Sequence, residues 1–383
     1  MILLIADDLT GACDAAAPFA VRGHATVVSL EGRLEGGEAG ALAISTESRD
    51  LAPGELGAVY AGLGAADFLG SGLIFKKIDS TLRGNAGAEI ALAAEAFGCE
   101  SAIATPAFPA MGRMVEAGVL RVAGAAFEPV ELAAYWRAQG LCGCAQVSPG
   151  GVAAELAAGT RFISVDAASD ADLDAIAVAG LASTRRVLWA GSAGLAWALA
   201  RGWAPRGVSL RPCVPPKFMK TEKKADGPAN AAGTPARPTS AVLFCIGSDH
   251  AVTVEQQREM AAGRRVLAVD AETVQPECVA RTLEGGTHVA LRVAYGRIGA
   301  ERIRRLIGDW RGPLVLSGGA TAWLVCRALG VREIRIEREI AAGIPRGFIS
   351  GGLFDGLPIV TKSGGFGKPS ALIEILDDLT CPQ

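Results

Sequence analysis

Short apolar runs recur along the first half of this chain, and each stops abruptly at charged, hydroxyl or glycine residues. Residues 1–6 end at Asp7-Asp8, 41–45 at Thr46-Glu47-Ser48-Arg49, 71–75 at the polar stretch 76–85, 101–105 at a Pro/Gly-rich loop reaching Arg113, and 187–190 at Gly191-Ser192. A further run, 162–165, has the same character. Between the runs lie Ala-rich segments with helical spacing, at 12–21, 86–96, 170–182 and 195–200. Runs that are apolar at every position, rather than at every second one, predict strands covered on both faces, as in a parallel sheet. Strand and helix alternating in this way predict an α/β fold.

The rhythm breaks at residues 213–239, a Pro-, Ala- and Lys-rich stretch with too few apolar positions to enter a core, and this predicts an interdomain linker. It resumes with runs at 241–246, 313–316 and 357–361, which empty into Gly247-Ser248-Asp249-His250, Ser317-Gly318-Gly319-Ala320-Thr321 and Lys362-Ser363-Gly364-Gly365-Phe366-Gly367. Helices are predicted from about Val252 and over 322–329. The expected organisation is therefore two domains, 1–212 and 240–383, each a mostly parallel sheet flanked by helices, with the active site in the cleft between them. A chain of 383 residues is long enough for two cores.

Composition narrows the function. Half of the residues are hydrophobic and mean hydropathy is +0.32, as expected of a globular chain. The most apolar segment, 187–200, is shorter than the roughly 20 residues needed to span a bilayer, and Asp7 and Asp8 interrupt the N-terminal apolar run, so a cytoplasmic protein with no membrane partner is expected. Nine cysteines without a CxxC pair, and three histidines, point to neither a disulfide framework nor a dedicated metal centre. A net charge of −3 with no basic face gives no footprint for nucleic acid. The expected partner is a small molecule, and a homo-oligomer stays open.

In an open α/β sheet, ligands bind beyond the carboxyl ends of the strands, where the following helix offers N–H groups to anions. The stretch 77–85 places Lys77, Asp79, Ser80, Thr81, Arg83 and Asn85 in one such turn, whereas a capped turn needs a single carboxylate or hydroxyl. Asp7 and Asp8 hold the same position after the first strand. They are adjacent, not two apart as in haloacid-dehalogenase-like phosphatases, which demotes that reading. Arg49 is placed to pair bidentately with a carboxylate. The prolines of 105–113 predict a rigid pocket wall carrying Arg113, and the glycines around Ser192 predict close approach of a ligand oxygen. In the second domain, Gly318, Gly319, Ala320 and Thr321 form a nest of the kind that receives phosphate. The loop starting at Lys362, with Gly364 and Gly365, only mimics GxxxxGK[ST]: Lys362 stands where the first glycine belongs and Pro369 where Ser or Thr belongs. No GxGxxG follows a predicted strand, which disfavours NAD and FAD.

Four segments, IADDLTGACDAA (5–16), KKIDSTLRGN (76–85), TPAFPAMGR (105–113) and TKSGGFG (361–367), resemble the four-carbon acid sugar kinase family, in the family's order and over nearly the whole chain. The resemblance implies ATP-dependent phosphorylation of threonate, erythronate or 3-oxo-tetronate, with an N-terminal sugar-binding and a C-terminal nucleotide-binding domain. It places Asp7, Asp8, Lys77, Asp79, Arg83 and Asn85 in the sugar-domain motifs, and Ser248, Gly318 to Thr321 and Gly364 in the nucleotide-domain ones. The chain departs from the family at Asp249-His250, where smaller uncharged residues are expected, and in being somewhat shorter.

Phosphoryl transfer needs a positioned acceptor, a carboxylate near its hydroxyl, cations, and Mg²⁺ on the nucleotide. The expected roles follow: Asp8, or else Asp79, as base; Lys77 offsetting charge on the phosphoryl group; Arg83, then Arg49, holding the acid's carboxylate; the C4 hydroxyl as acceptor. A non-catalytic sugar-acid binder and a sugar-acid phosphatase or aldolase are the alternatives.

Overall fold

The computed structural model describes residues 1–31, 39–68, 70–124, 127–203, 241–294 and 296–381. The predicted linker, 213–239, lies outside the described residues. The first part contains strands β1 (Ile2–Ala6), β2 (Thr26–Ser29), β3 (Ala41–Ser45), β4 (Leu73–Lys77), β5 (Ser101–Thr105), β6 (Arg113–Glu116), β7 (Val119–Val122), β8 (Val130–Glu131), β9 (Ala145–Val147), β10 (Phe162–Val165) and β11 (Val187–Gly191). Its helices are α1 (Leu9–Val21), α2 (Leu56–Gly62), α3 (Ala86–Ala96), α4 (Leu132–Ala138), α5 (Val152–Ala158), α6 (Asp170–Leu181) and α7 (Ala193–Gly202). After residue 241 come β12 (Leu243–Ile246), β13 (Val266–Asp270), β14 (His288–Arg292), β15 (Leu314–Ser317), β16 (Glu333–Ala341), β17 (Ile344–Ser350) and β18 (Pro358–Lys362). They alternate with α8 (Ala251–Gly263), α9 (Pro276–Glu284), α10 (Ala300–Ile307), α11 (Gly319–Leu329) and α12 (Ala371–Thr380).

The two expected sheets are joined edge to edge. Among the described residues one sheet of 15 strands runs β13-β14-β12-β15-β18-β17-β16-β2-β3-β1-β4-β11-β5-β10-β9, while β6, β7 and β8 form a small antiparallel sheet beside it. Every pairing in the large sheet is parallel except those made by β16 and β17. This antiparallel hairpin carries the connection, with Glu333 opposite Ser29 on β2 and Arg346 opposite Val360 on β18. No strand was expected at 333–350: residues 333–337 alternate charged with apolar, a weaker signal than the continuous apolar runs of β1 or β15.

Register aligns the strand ends. Ala6 sits beside Ser45 and Lys77, and Gly191 beside Lys77 and Thr105, so the loops after β1, β3, β4, β5 and β11 open on the same edge. In the second half Ile246, Ser317 and Lys362 are neighbours in the same way. In each half the strand that comes first in the chain lies inside the sheet, with later strands on both sides, so its loop opens at the point where strand order reverses.

Three helices begin two or three residues before their predicted starts, at Leu9, Ala193 and Gly319. Asp8 and Ser192 are the N-caps of the first two, each accepting a backbone N–H two or three residues ahead. Helix α1, rich in Ala and other small residues, is buried from Leu9 to Ala20. It packs against β3, α7, α11 and β16, so the helix that follows Asp7-Asp8 is wedged between residues from both halves. No helix of the described residues is long and apolar enough to cross a membrane.

Candidate active site

The first-domain loops bring one compact charged cluster together. Arg49, after β3, forks onto Asp7 with Nε–Oδ2 and Nη2–Oδ1 distances of 2.8 Å each, and its Nη1 reaches Asp8 Oδ2 at 2.6 Å. Asp8 Oδ1 accepts Gly11 N–H at 2.7 Å, and Oδ2 also accepts the Thr10 hydroxyl at 2.9 Å. Asp79 is drawn into its own turn: Oδ1 accepts Thr81 N–H at 2.9 Å, and Oδ2 accepts Arg83 Nε at 3.1 Å. Burial would raise the Asp79 carboxyl, but the Arg83 and Arg49 guanidiniums and the bonds from Arg83 and Thr81 outweigh it and hold the group well below the usual carboxylate range. At Asp7 burial likewise opposes, and Arg49, Lys76 and Lys77 prevail to lower it. Lys77 is buried, with Nζ donating to Ile78 O at 2.9 Å.

Beneath this cluster lies a pair that the sequence did not signal. Lys76 Nζ and a Glu89 oxygen are 3.1 Å apart with both side chains almost fully enclosed, and the other Glu89 oxygen accepts the Ser48 hydroxyl. The pair thus ties the Arg49 loop to α3. Asn85 Nδ2 adds a bond to Leu51 O at 2.8 Å. Ser192 is occupied in the scaffold: its oxygen accepts Gly194 N–H at 3.0 Å and donates to Ala107 O at 2.5 Å, anchoring the Pro-rich loop. That loop presents Arg113, whose guanidinium lies 5.5 Å from the ring centroid of Phe366 in the second domain. The Phe366 ring meets Phe108 edge to face at 6.0 Å, an apolar contact across the cleft.

In the second domain, Ser248, Gly318, Gly319, Ala320, Thr321, Lys362, Gly364 and Gly365 converge at the ends of β12, β15 and β18. The turns are interleaved closely: a Cβ on Gly364 would fall 2.0 Å from Ser248 Oγ. Helix α11 has no side-chain cap on its N-terminus. That N-terminus faces the first domain so closely that a Cβ on Gly319 would lie 2.4 Å from Asp8 Oδ2. Ser363 and Thr10 hydroxyls meet at 3.2 Å across the same gap. His250 caps α8 through Nδ1, and burial together with Lys362, Arg83 and Arg113 lowers its pKa, so three cations from two domains act on the same point of the cleft. Lys362 does not face this cleft; its ammonium is turned under the glycine loop. A cavity of about 460 Å³ adjoins Ser248, lined by Val254, Gln257, Arg258, Arg292 and Val293 among others.

Comparison with known proteins gives a consistent set of likenesses. A family model described as a sugar-binding N-terminal domain matches residues 2–139 and 132–199, and one described as a nucleotide-binding C-terminal domain matches 284–372. A D-threonate kinase of Bordetella bronchiseptica is 34% identical over 97% of this chain and 95% of its own length. A D-erythronate kinase of Heliobacterium modesticaldum is 28% identical over 99% of this chain and 97% of its own. The solved structure of Haemophilus influenzae protein HI1011 superimposes with a TM-score of 0.67 at 21% identity, covering 99% of this chain and 100% of that one, a likeness of fold.

Proposed function

The chain belongs to the four-carbon acid sugar kinase family, and from that premise we propose that it transfers the γ-phosphoryl group of ATP to the terminal C4 hydroxyl of a threonate-, erythronate- or 3-oxo-tetronate-type acid. The observation that carries this reading is the approach of Asp8 to Gly319. It sets the first domain's carboxylate cluster against the uncapped start of α11, so an acceptor bound to one domain and a phosphate bound to the other would meet there.

Each residue's part follows from its partners. Asp8 is the base, orienting the acceptor hydroxyl and taking its proton, because Asp79 is held far below the range in which a carboxylate accepts one. Asp7 and Arg49 neutralise each other and fix the loop geometry. Arg83, paired with Asp79 but with a side chain 65% exposed, and Arg113 are the guanidiniums within reach of the acid's carboxylate, whereas Arg49 is enclosed between Asp7 and Asp8. Lys77 supplies positive charge beside the transferring group. The nest from Gly318 to Thr321 and the loop from Ser363 to Gly367 offer backbone N–H groups to the ATP phosphates, with Ser248 between them.

Mg²⁺ would arrive with the nucleotide and neutralise charge between its phosphates. Among the described residues no group of three or more His, Cys, Asp or Glu could hold a metal ion. The nucleotide's ion would be held by phosphate oxygens and water with one or two carboxylates.

The test is a coupled ADP-release assay with ATP and the isomers of threonate, erythronate and 3-oxo-tetronate. Acid-dependent ADP release with at least one of these is expected. Folded protein that releases no ADP with any of them would refute the proposal.

A further inference from the structure

Lys362 has no exposed surface, and its Nζ lies 3.0 Å from Ser363 O, 3.1 Å from Phe366 O, 3.4 Å from Gly364 O and 3.3 Å from Thr253 Oγ1. Thr253, buried on α8, passes the chain on by donating its own hydroxyl to Gly364 O at 2.6 Å. One turn further along the same helix, the equally buried Gln256 donates Nε2 to Phe366 O, Gly367 O and Lys368 O at 3.0, 3.1 and 3.0 Å. Five carbonyls of one short loop are therefore drawn inward, toward three side chains.

A trans peptide unit points its N–H opposite to its C=O, and the chain has no cis bond among the described residues. Drawing in the carbonyls of Ser363, Gly364 and Phe366 therefore turns the N–H groups of Gly364, Gly365 and Gly367 outward. Among the described residues, no hydrogen-bond acceptor receives the Gly364 or Gly365 N–H. The outer side of the loop is where Ser248 crowds Gly364, the His250 ring stands over Gly365, and Ser363 touches Thr10 of the first domain.

We propose that Thr253, Gln256 and Lys362 are positioning residues that hold the 363–367 loop with its N–H groups aimed into the cleft, so that the loop receives nucleotide phosphate through backbone donors while the lysine never touches it. This rests on the nucleotide site proposed above. Burial pushes the Lys362 ammonium down to about 7.

The experiment measures MgATP affinity by calorimetry, without the acid, for wild type, Thr253→Val, Thr253→Ser and Gln256→Met, with melting temperatures alongside. Thr253→Val is close to isosteric and removes the donor to Gly364 O together with the oxygen that accepts from Lys362 Nζ. It is expected to weaken MgATP binding about tenfold, with the KM for the acid unchanged, while Thr253→Ser restores wild-type affinity. Gln256→Met is expected to act in the same direction. A purely structural role would instead lower the melting temperature and leave the affinity of the folded fraction unchanged. Wild-type MgATP affinity in both folded Thr253→Val and folded Gln256→Met would overturn the inference while leaving the site reading intact. Wild-type protein that fails to bind MgATP would overturn the site reading, and the inference with it.

Discussion

Replacing Gly319 with alanine isolates the contact between the domains. Gly319 opens α11 with ordinary helical backbone, so alanine suits the helix at least as well as glycine does. What alanine meets is Asp8: its Cβ would stand 2.4 Å from Oδ2, 3.2 Å from Cγ and 3.4 Å from the Asp8 Cβ, so the nearest atom is about 1 Å inside ordinary contact. Asp8 cannot retreat freely, because Arg49, Gly11 and Thr10 hold its two oxygens at 2.6, 2.7 and 2.9 Å. Either one charge-assisted bond is given up, at about 1.5–3 kcal/mol, or the domains part by a comparable penalty. At about 1.4 kcal/mol per factor of ten, kcat/KM should fall roughly ten- to hundredfold. Steady-state ADP release and thermal melting on the same preparation check this, and the melting temperature should fall by only several degrees, leaving the enzyme folded at the assay temperature. A Gly319→Ala enzyme within twofold of wild-type kcat/KM would show that this approach is no part of the reacting geometry.

Asp8→Asn keeps the helix cap but loses the base, so kcat should drop at least about a hundredfold with the fold intact; near-wild-type kcat would move the role to another carboxylate. Arg83→Ala should raise the KM for the acid about tenfold or more, and should also lower the melting temperature because it strands the buried Asp79 carboxylate; an unchanged KM in the folded variant would remove Arg83 from the clamp. Arg49→Ala should instead destabilise by about 3–5 kcal/mol in urea unfolding, because it strands two buried carboxylates; a neutral effect would contradict the pairing described. Burial pushes the Asp14 carboxyl up to about 7, with Lys77 opposing and Asp8 adding, and pushes Glu339 up to about 8, with Asp14 adding. Both folded pKa values lie above the unfolded ones, so this contribution to stability is complete below about pH 4 and is lost as pH rises toward 7–8. Lys362, lowered by burial, acts in the opposite sense above about pH 7, so the difference between wild type and Asp14→Asn across pH 5–8 is the measurement: the fall in melting temperature should be shallower in the variant.

The loops that matter were legible because their residues interrupt apolar runs: Asp7-Asp8 after β1, Asp79 after β4 and the glycines after β15 announce themselves as breaks in hydropathy. Their pairings were not legible. That Arg49 would be consumed by Asp7 and Asp8, leaving Arg83 the more exposed guanidinium, depends on the register that sets Ala6 beside Ser45. Lys76 lies at a strand end and Glu89 in the helix that follows, and only packing reveals them as a buried pair. Thr253 and Gln256 sit in a helix whose polar residues run all round it, so hydropathy could not say which of them face inward. The 333–350 hairpin was missed because charges alternate along its first strand, and with it went the continuity of the sheet.

The central claim is a phosphoryl transfer to the far end of a four-carbon acid clamped by its carboxylate. The most direct test is proton–phosphorus correlation NMR of the product formed from ATP and the preferred acid. The account predicts phosphorus coupled to the C4 methylene protons. Phosphorus coupled to a proton at C2 or C3, or an acyl phosphate on C1, would contradict it.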